Sequence, residues 1–189
     1  MIEFIESIDF AILNWLNDNL AHPVLDVIFR FITHLGDGGW LWIALTAIFL
    51  CFKKTRRYGV TMAISLLFSL LITNLTLKPL VNRPRPFTKQ YVDLRIDAPH
   101  SASFPSGHTS GSFSAALALF HHNKKAGTPA LILATLIAFS RLYFFVHYPT
   151  DVLGGFLVAF LGSFLASLLT PYVFLAAEKI KNALFRKKD

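Results

Sequence analysis

The sequence contains little cysteine and little charge. Its single cysteine, Cys51, excludes an intramolecular disulfide and offers too few thiolates for a metal site. Only 15% of the 189 residues are charged, whereas 54% are apolar. The N-terminus lacks the basic region of a signal peptide, because Glu3, Glu6 and Asp9 occupy it. A chain with so little charge and so many apolar residues is typical of a membrane protein.

Several apolar runs approach or exceed the ~18 residues that cross a bilayer. Residues 1–20 instead place apolar side chains at helical spacing among acids and amides, which favours a helix lying in the membrane interface. Pro23 follows, and residues 24–35 form a second short apolar helix; whether 1–35 crosses the membrane stays open at this point. We predict an all-α fold, a polytopic membrane helical bundle of five spans plus this N-terminal segment, five to six in total. The five predicted spans are 39–52, 58–77, 107–120, 129–146 and 152–177.

The basic residues indicate an orientation. Lys and Arg cluster in 53–57, in 124–125 and in the C-terminal tail, where they are Lys179, Lys181, Arg186, Lys187 and Lys188. Alternating spans put the three clusters on one face, and the positive-inside rule makes that face cytoplasmic. The net charge of +7 then reflects orientation and anionic headgroups, so the bilayer is an expected partner and nucleic acid is not.

We expect one integral membrane domain over 1–189. It would comprise N-terminal amphipathic helices (1–35), a transmembrane core (36–178) and a basic cytoplasmic tail (179–189). In a bacterium this placement means the cell (inner) membrane. The sequence does not indicate an oligomeric state.

One connection contradicts the simple charge rule. The segment 78–106 faces the opposite side from the three basic clusters, yet it contains five basic residues: Lys78, Arg83, Arg85, Lys89 and Arg95. A site for a phosphate group would explain them. The same alternation of spans brings Lys78, Ser106 and His147 to one face, although they are far apart in the sequence.

The first polar segment of interest runs from Lys78 to Pro86. Its two Arg-Pro pairs keep the backbone out of a continuing helix. Arginine offers a planar fork that suits phosphate, and lysine acts as a compact point charge. Taken alone, these residues also fit a membrane flank that meets lipid headgroups.

The second segment precedes an apolar helix. Ser106 is typical of an N-cap, and Gly107 permits another group to approach the backbone closely. A helix N-terminus presents free N–H groups to an anion, and His108 in the first turn could meet an oxygen of that anion. A Ser N-cap alone is common and needs no function.

The third segment ends an apolar run with Arg141, His147 and Asp151. Pro149 suits the first turn of a new helix, which places Asp151 where it can hold one ring nitrogen of His147. A capping acid beside an interfacial histidine is the simpler alternative. By this interpretation one histidine, His147, is paired with a carboxylate and the other, His108, is not. Phosphoryl transfer needs such a division between a nucleophile and an acid, with cations to stabilise the transition state.

Together the three segments resemble the type 2 phosphatidic acid phosphatase (lipid phosphate phosphatase) superfamily. The signature of that family is Lys-x6-Arg-Pro, then Pro-Ser-Gly-His, then Ser-Arg-x5-His-x3-Asp. The sequence matches it with every spacing intact at Lys78 to Pro86, Pro105 to His108 and Ser140 to Asp151.

The resemblance implies a role for each matching residue. His147 would be the nucleophile that forms a phosphohistidine, Asp151 would orient it, and His108 would protonate the leaving group and later activate water. Phosphate oxygens would be bound by Lys78, Arg85, Arg141, Ser106 and Gly107. The family requires no metal and no other cofactor. Arg83 lies outside the signature, and we considered both a headgroup contact and a solvated flank for it.

The expected substrate is a lipid phosphate or diphosphate, hydrolysed at the extracytoplasmic face. We favour undecaprenyl diphosphate; phosphatidylglycerophosphate, phosphatidic acid and lipid A phosphates stay as alternatives. A catalytically silent lipid-phosphate-binding protein is the non-enzyme alternative, although no signature residue is missing. A transporter would place its charges near mid-membrane, and the vanadate-dependent haloperoxidases, which share the three motifs, have soluble scaffolds.

Overall fold

A computed structural model describes residues 2–185, and within this range the secondary structure is helical without strands. The predicted all-α class is therefore confirmed. A 3-10 turn, Asp37–Gly39, precedes α3, and a π-helical stretch, Leu70–Leu77, follows α4. The α-helices are α1 (Ile2–Leu20), α2 (Pro23–His34), α3 (Trp40–Cys51), α4 (Arg56–Ser69), α5 (Lys78–Val81), α6 (Pro86–Lys89), α7 (Gly107–His122), α8 (Lys124–Tyr143) and α9 (Pro149–Phe185).

Three helical stretches are long and apolar enough to cross a membrane, and the first of them is interrupted at 82–85. They are Arg56–Lys89, Lys124–Tyr143 and Pro149–Ala183. A fourth crossing arises if Pro23–His34 and Asp37–Cys51, which meet at a bend of 41°, count as one broken span. The apolar character of a membrane protein is thus confirmed, while the count of five to six spans stays a prediction.

The last two predicted spans have different bounds from the helices that correspond to them. The span predicted at 129–146 is helix α8, which begins at Lys124 because the side chain of Asn123 accepts a hydrogen bond from the backbone N–H of Ala126. The helix ends at Tyr143, since the chain then turns to form the segment that contains His147. Helix α9 (Pro149–Phe185) extends beyond both ends of the span predicted at 152–177. The tail residues Arg186, Lys187 and Lys188 lie outside the described residues.

Helix α7 is the centre of the bundle and packs against α4, α8 and α9. Small residues allow these close approaches: a Cβ on Gly155 of α9 would lie 2.7 Å from the carbonyl oxygen of Ser106. Buried hydroxyls add hydrogen bonds between helices, since Ser69 and Thr73 each donate to Ser110 of α7 at 3.0 Å. This packing fixes the N-terminus of α7 against the start of α9.

The chain changes its helical winding just before the first polar segment. Leu70–Leu77 has π-helical hydrogen bonding, and Lys78 begins the next turn. Such π segments are rare and are frequently found at functional sites. Here the change of winding comes directly before Lys78, which lines a cavity.

Candidate active site

A cavity of about 610 Å³ opens between the Asp37–Gly39 turn, α4 and the N-terminus of α7. Six of the residues predicted from the three segments line it: Lys78, Arg85, Gly107, His108, Arg141 and His147. The site therefore brings together residues that are far apart in the sequence: Lys78 and His147 are separated by 69 positions. The convergence that alternating spans predicted is present in the structure.

His147 lies just before α9 and is 2% exposed. Its Nε2 lies 3.2 Å from Arg85 Nη1, and its Nδ1 lies 3.3 Å from Asp151 Oδ2. Because arginine can only donate, Nε2 is the acceptor and Nδ1 carries the hydrogen that Asp151 accepts. Burial lowers the pKa of His147 to about 3, so that the ring is neutral at physiological pH. The ring thus presents an unprotonated Nε2 to the cavity.

Asp151 is fully buried in the first turn of α9, behind His147. The backbone N–H of Tyr148 donates to its Oδ2 at 2.9 Å, and the hydroxyl of Ser103 donates to the same oxygen. Arg83 donates to the other oxygen, Oδ1, at 2.7 Å. These donors favour the ionised carboxylate and fix the oxygen that receives the Nδ1 hydrogen of His147.

The cations Lys78 and Arg85 are held by the loop between α6 and α7. Lys78 Nζ donates to Ser101 Oγ at 3.0 Å, and Arg85 Nε donates to the Ser101 carbonyl at 2.7 Å. Arg85 also donates to the carbonyl of Val146 at 2.7 Å, next to His147. The loop between α6 and α7 therefore positions two phosphate-binding candidates.

Arg141 is 4% exposed and lies in the last turn of α8. Its Nη1 donates to Thr33 Oγ1 at 2.6 Å, whereas its Nε is buried without a hydrogen-bond partner within residues 2–185. A buried guanidinium nitrogen without an acceptor is costly. A phosphate oxygen in the cavity is an acceptor of the kind that this nitrogen lacks.

The start of α7 has the predicted cap. Ser106 Oγ accepts hydrogen bonds from the N–H and the hydroxyl of Thr109 at 3.4 and 2.9 Å, so Ser106 is the N-cap. Ser106 is fully buried, and its own N–H donates to the carbonyl of Asp151 at 3.0 Å. Gly107 is at the cavity surface, near Lys78 Nζ. The second and third motifs are therefore linked through their backbones.

The interpretation that His108 has no carboxylate partner was wrong. Its Nε2 lies 2.8 Å from Oδ1 of Asp37, which belongs to the 3-10 turn between α2 and α3. The sequence indicated only a turn at residues 36–39. Nothing in the spacing of Asp37 and His108, which are 71 positions apart, could have revealed this pair.

Arg83 contacts the N-terminal helix rather than open solvent. Its Nη2 donates to Asp9 Oδ2 of α1 at 2.9 Å, while its Nη1 donates to Asp151 and to Thr150, each at 2.7 Å. Its guanidinium also lies over the ring of Tyr148, 3.7 Å from the centroid. The solvated-flank alternative is thereby excluded, and the headgroup contact stays an untested prediction.

Asp9 was not recognised in the sequence as part of the site. It is 1% exposed and accepts hydrogen bonds from the N–H and the hydroxyl of Thr150 at 3.0 and 2.6 Å, in addition to Arg83. An acid flanked by Ile8 and Phe10 was the only signal that it had a partner. The first helix is therefore docked onto the start of α9, beside Asp151.

A second cavity of about 680 Å³ shares Arg141 and His108 with the first. Polar side chains of α2 and of the loop before α7 line it, including Arg30, His34 and His100. No group of three or more His, Cys, Asp or Glu side chains placed to hold a metal ion was found within residues 2–185. The donors at the site are cations and backbone or hydroxyl groups, which suit an anion.

Known proteins are similar to this chain in sequence and in fold. The model of the PAP2 superfamily matches residues 54–175. Undecaprenyl-diphosphatase BcrC of Bacillus subtilis (strain 168) is 35% identical over 181 residues, which are 89% of this chain and 91% of that protein. The solved structure of Aquifex aeolicus LpxE has a TM-score of 0.74 and 28% identity, covering 83% of this chain and 93% of its own.

A second solved structure is that of a PAP2-type phosphatidylglycerolphosphate phosphatase from Bacillus subtilis. It has a TM-score of 0.73 and 30% identity, and the match covers 89% of this chain and 87% of its own. The resemblance drawn from the three motifs is confirmed. The chain belongs to the PAP2 superfamily and is a membrane lipid phosphatase.

Proposed function

We propose that the protein hydrolyses undecaprenyl diphosphate to undecaprenyl phosphate and inorganic phosphate, without a metal ion and through a phosphohistidine. The observation that carries the proposal is the pair of contacts on His147, with Arg85 at Nε2 and Asp151 at Nδ1. This arrangement provides a neutral, oriented nucleophile beside cations that can bind the phosphate.

In the first step, Nε2 of His147 attacks the terminal phosphorus. A bond forms between Nε2 and phosphorus, and the bond from phosphorus to the bridging oxygen breaks. His108 gives a proton to the leaving oxygen. Asp151 stabilises the positive charge that develops on His147. The phosphate oxygens are bound by the cations Lys78, Arg85 and Arg141. Ser106 and the backbone N–H of Gly107 also bind them.

In the second step, the phosphohistidine is hydrolysed. His108, now neutral, takes a proton from a water molecule, and the oxygen of that water attacks phosphorus while the Nε2–phosphorus bond breaks. Inorganic phosphate leaves, and His147 is again neutral. Each histidine thus ends the cycle in its starting protonation state after His108 has given one proton and taken one.

The shape of the cavity supports a substrate with an apolar tail. Beside the cations, the cavity is lined by Ile43, Leu67 and Leu70, and each of these side chains is about half exposed at the bundle surface. A lipid could therefore keep its tail in the bilayer while its phosphate reaches His147. The 35% identity to an undecaprenyl-diphosphatase over nearly the whole chain favours the isoprenoid.

Phosphatidylglycerophosphate is the second candidate substrate. This substrate is favoured by the similarity to the solved structure of the Bacillus subtilis phosphatase of that lipid, which is 30% identical to this chain. The two lipids differ in the leaving group: the isoprenoid substrate releases a phosphate ester, and the glycerolipid releases an alcohol. Phosphatidic acid would also release an alcohol.

Phosphate release from a panel of substrates tests the proposed function. The purified protein would be assayed in EDTA with undecaprenyl diphosphate, phosphatidylglycerophosphate, phosphatidic acid and a short soluble diphosphate. We expect the isoprenoid to give the highest kcat/KM. A higher value for a glycerolipid would reassign the substrate, and activity that needs an added divalent ion would overturn the metal-free mechanism.

We also propose that the site faces the outside of the cell membrane and that the C-terminus is cytoplasmic, with one domain formed by 1–189. The basic residues of 53–57 support this orientation. A Tyr91→Cys variant in a Cys51→Ser background places a thiol at a position that is 95% exposed. We expect it to react with a membrane-impermeant thiol reagent in intact cells, whereas native Cys51 should react only after lysis. The reverse pattern would invert the orientation.

A further inference from the structure

We propose that Asp37 is a positioning residue that holds His108 in the orientation and the protonation state needed for acid–base catalysis. The inference rests on the proposed function and extends it. The site would then contain two carboxylate–histidine pairs: Asp151 with the nucleophile His147, and Asp37 with the proton-transferring His108.

The geometry fixes one edge of the His108 ring. Its Nε2 lies 2.8 Å from Asp37 Oδ1, and a Cβ on Gly36 would lie 2.7 Å from its Cδ2. The edge of the ring formed by Cδ2 and Nε2 therefore packs against the 36–37 turn, where glycine alone permits the approach. We assign the proton transfer to Nδ1 on the opposite edge, since His108 and His147 line the same cavity.

The charges around His108 require such a partner. The same cavity is lined by Lys78, Arg85 and Arg141. Each of these cations disfavours a positive charge on the ring of His108. As a general acid, however, His108 must carry that charge before it gives up its proton. The carboxylate of Asp37 at hydrogen-bond distance supplies the compensating negative charge.

The same contact serves the second step. When Nε2–H donates to Asp37, the hydrogen of the neutral ring is held on Nε2, and Nδ1 is free to accept a proton from water. The imidazolium that forms is again stabilised by the carboxylate, as in other catalytic carboxylate–histidine pairs. Asp37 thus acts through His108 and has no contact with the phosphate in this scheme.

The test compares leaving groups in the Asp37→Asn variant, which keeps the side-chain shape and removes the charge. Dodecyl phosphate releases an alkoxide that needs a proton, whereas p-nitrophenyl phosphate releases a stable phenolate that does not. In rapid-quench first turnovers we expect the variant to be about 10–100-fold slower with dodecyl phosphate and less than about threefold slower with p-nitrophenyl phosphate. With the latter, a burst of nitrophenolate should precede slow turnover, since water activation still needs His108.

Two further variants make the result specific. Adding Asp37→Asn to His108→Ala should cause no further loss, because Asp37 acts through His108. Asp37→Glu keeps the charge and should be faster than Asp37→Asn with dodecyl phosphate. If the Asn variant is poorly folded, the ratio of its rates with the two esters is used instead, because that ratio does not depend on the folded fraction. Asp93→Asn, an exposed loop acid, is the matched control and should equal the wild type.

Several outcomes would overturn the inference. Equal slowing of both first turnovers would mean that Asp37 only supports the fold, and a faster Asp37→Asn variant would mean that the carboxylate competes with the substrate for His108. An additional loss in the double variant would show that Asp37 acts independently of His108. Failure of the proposed function looks different, because the wild type would then release no phosphate from undecaprenyl diphosphate, whatever the rates with the two test esters.

Discussion

Replacing His147 by alanine is expected to reduce phosphate release by at least about 10⁴-fold, the scale seen when a catalytic nucleophile is removed. The cause is the loss of Nε2. Among residues 2–185, no other histidine at the cavity has an arginine at one ring nitrogen and a carboxylate at the other. Turnover in detergent with the preferred lipid of the panel measures the effect.

The protein should stay folded after this change. Asp151 keeps its hydrogen bonds from Arg83, Ser103 and the N–H of Tyr148, so no buried charge is left without a partner. Size-exclusion chromatography and thermal unfolding check the fold, and His121→Ala, an exposed histidine outside the cavity, is the control. Retained activity in a folded His147→Ala protein would remove His147 as the nucleophile.

Replacing Arg83 by methionine should destabilise the protein by on the order of 3 kcal/mol, because two buried carboxylates lose their shared cation. Asp9 and Asp151 are 1% and 0% exposed, and both accept hydrogen bonds from Arg83. Methionine retains the packing of the aliphatic stem, so the loss would report the charge. Thermal or denaturant unfolding in detergent measures it.

Activity should fall as well, by about tenfold or more at temperatures where the variant is folded, since Asp151 orients His147. Arg30→Met is the matched control: Arg30 is exposed and, within residues 2–185, donates only to the backbone carbonyl of Arg95 at 2.5 Å. An Arg83→Met protein with wild-type stability and activity would show that α1 and Arg83 have no part in holding the catalytic aspartate.

The residues in the three motifs could be placed from the sequence because local rules apply to them. Ser106 is followed by an apolar helix, which predicts an N-cap, and Pro149 predicts a helix start that brings Asp151 back to His147. Alternation of spans then predicts that the three motifs meet at one face. The structure has each of these features.

The partners of those residues could not be placed in the same way. Each of these partners lies on a different helix or loop from the motif residue that it contacts, and such contacts follow no spacing rule. The partners are Asp9, Asp37, Ser101 and Ser103. An aspartate such as Asp37 is common in a Gly-rich turn. Its position in the sequence therefore gave no reason to expect a contact with His108. Asp9 looked like one more acid of an interfacial helix, although it is buried against Thr150 and Arg83.

The helix boundaries show the same limit. The span was predicted to begin at 129, but the cap at Asn123 starts α8 at Lys124. Cysteine labelling at both ends of α3 and α7, which are 12 and 16 residues long, would decide whether these short helices complete crossings.

Trapping the phosphoenzyme tests the proposed mechanism most directly. The protein would be mixed with undecaprenyl diphosphate labelled with ³²P in its terminal phosphate, quenched within milliseconds and digested to peptides under alkaline conditions. We expect acid-labile, alkali-stable label on the peptide that contains His147, and none in the His147→Ala protein. Phosphate release by the wild type without label on His147, or label on another residue, would contradict the mechanism.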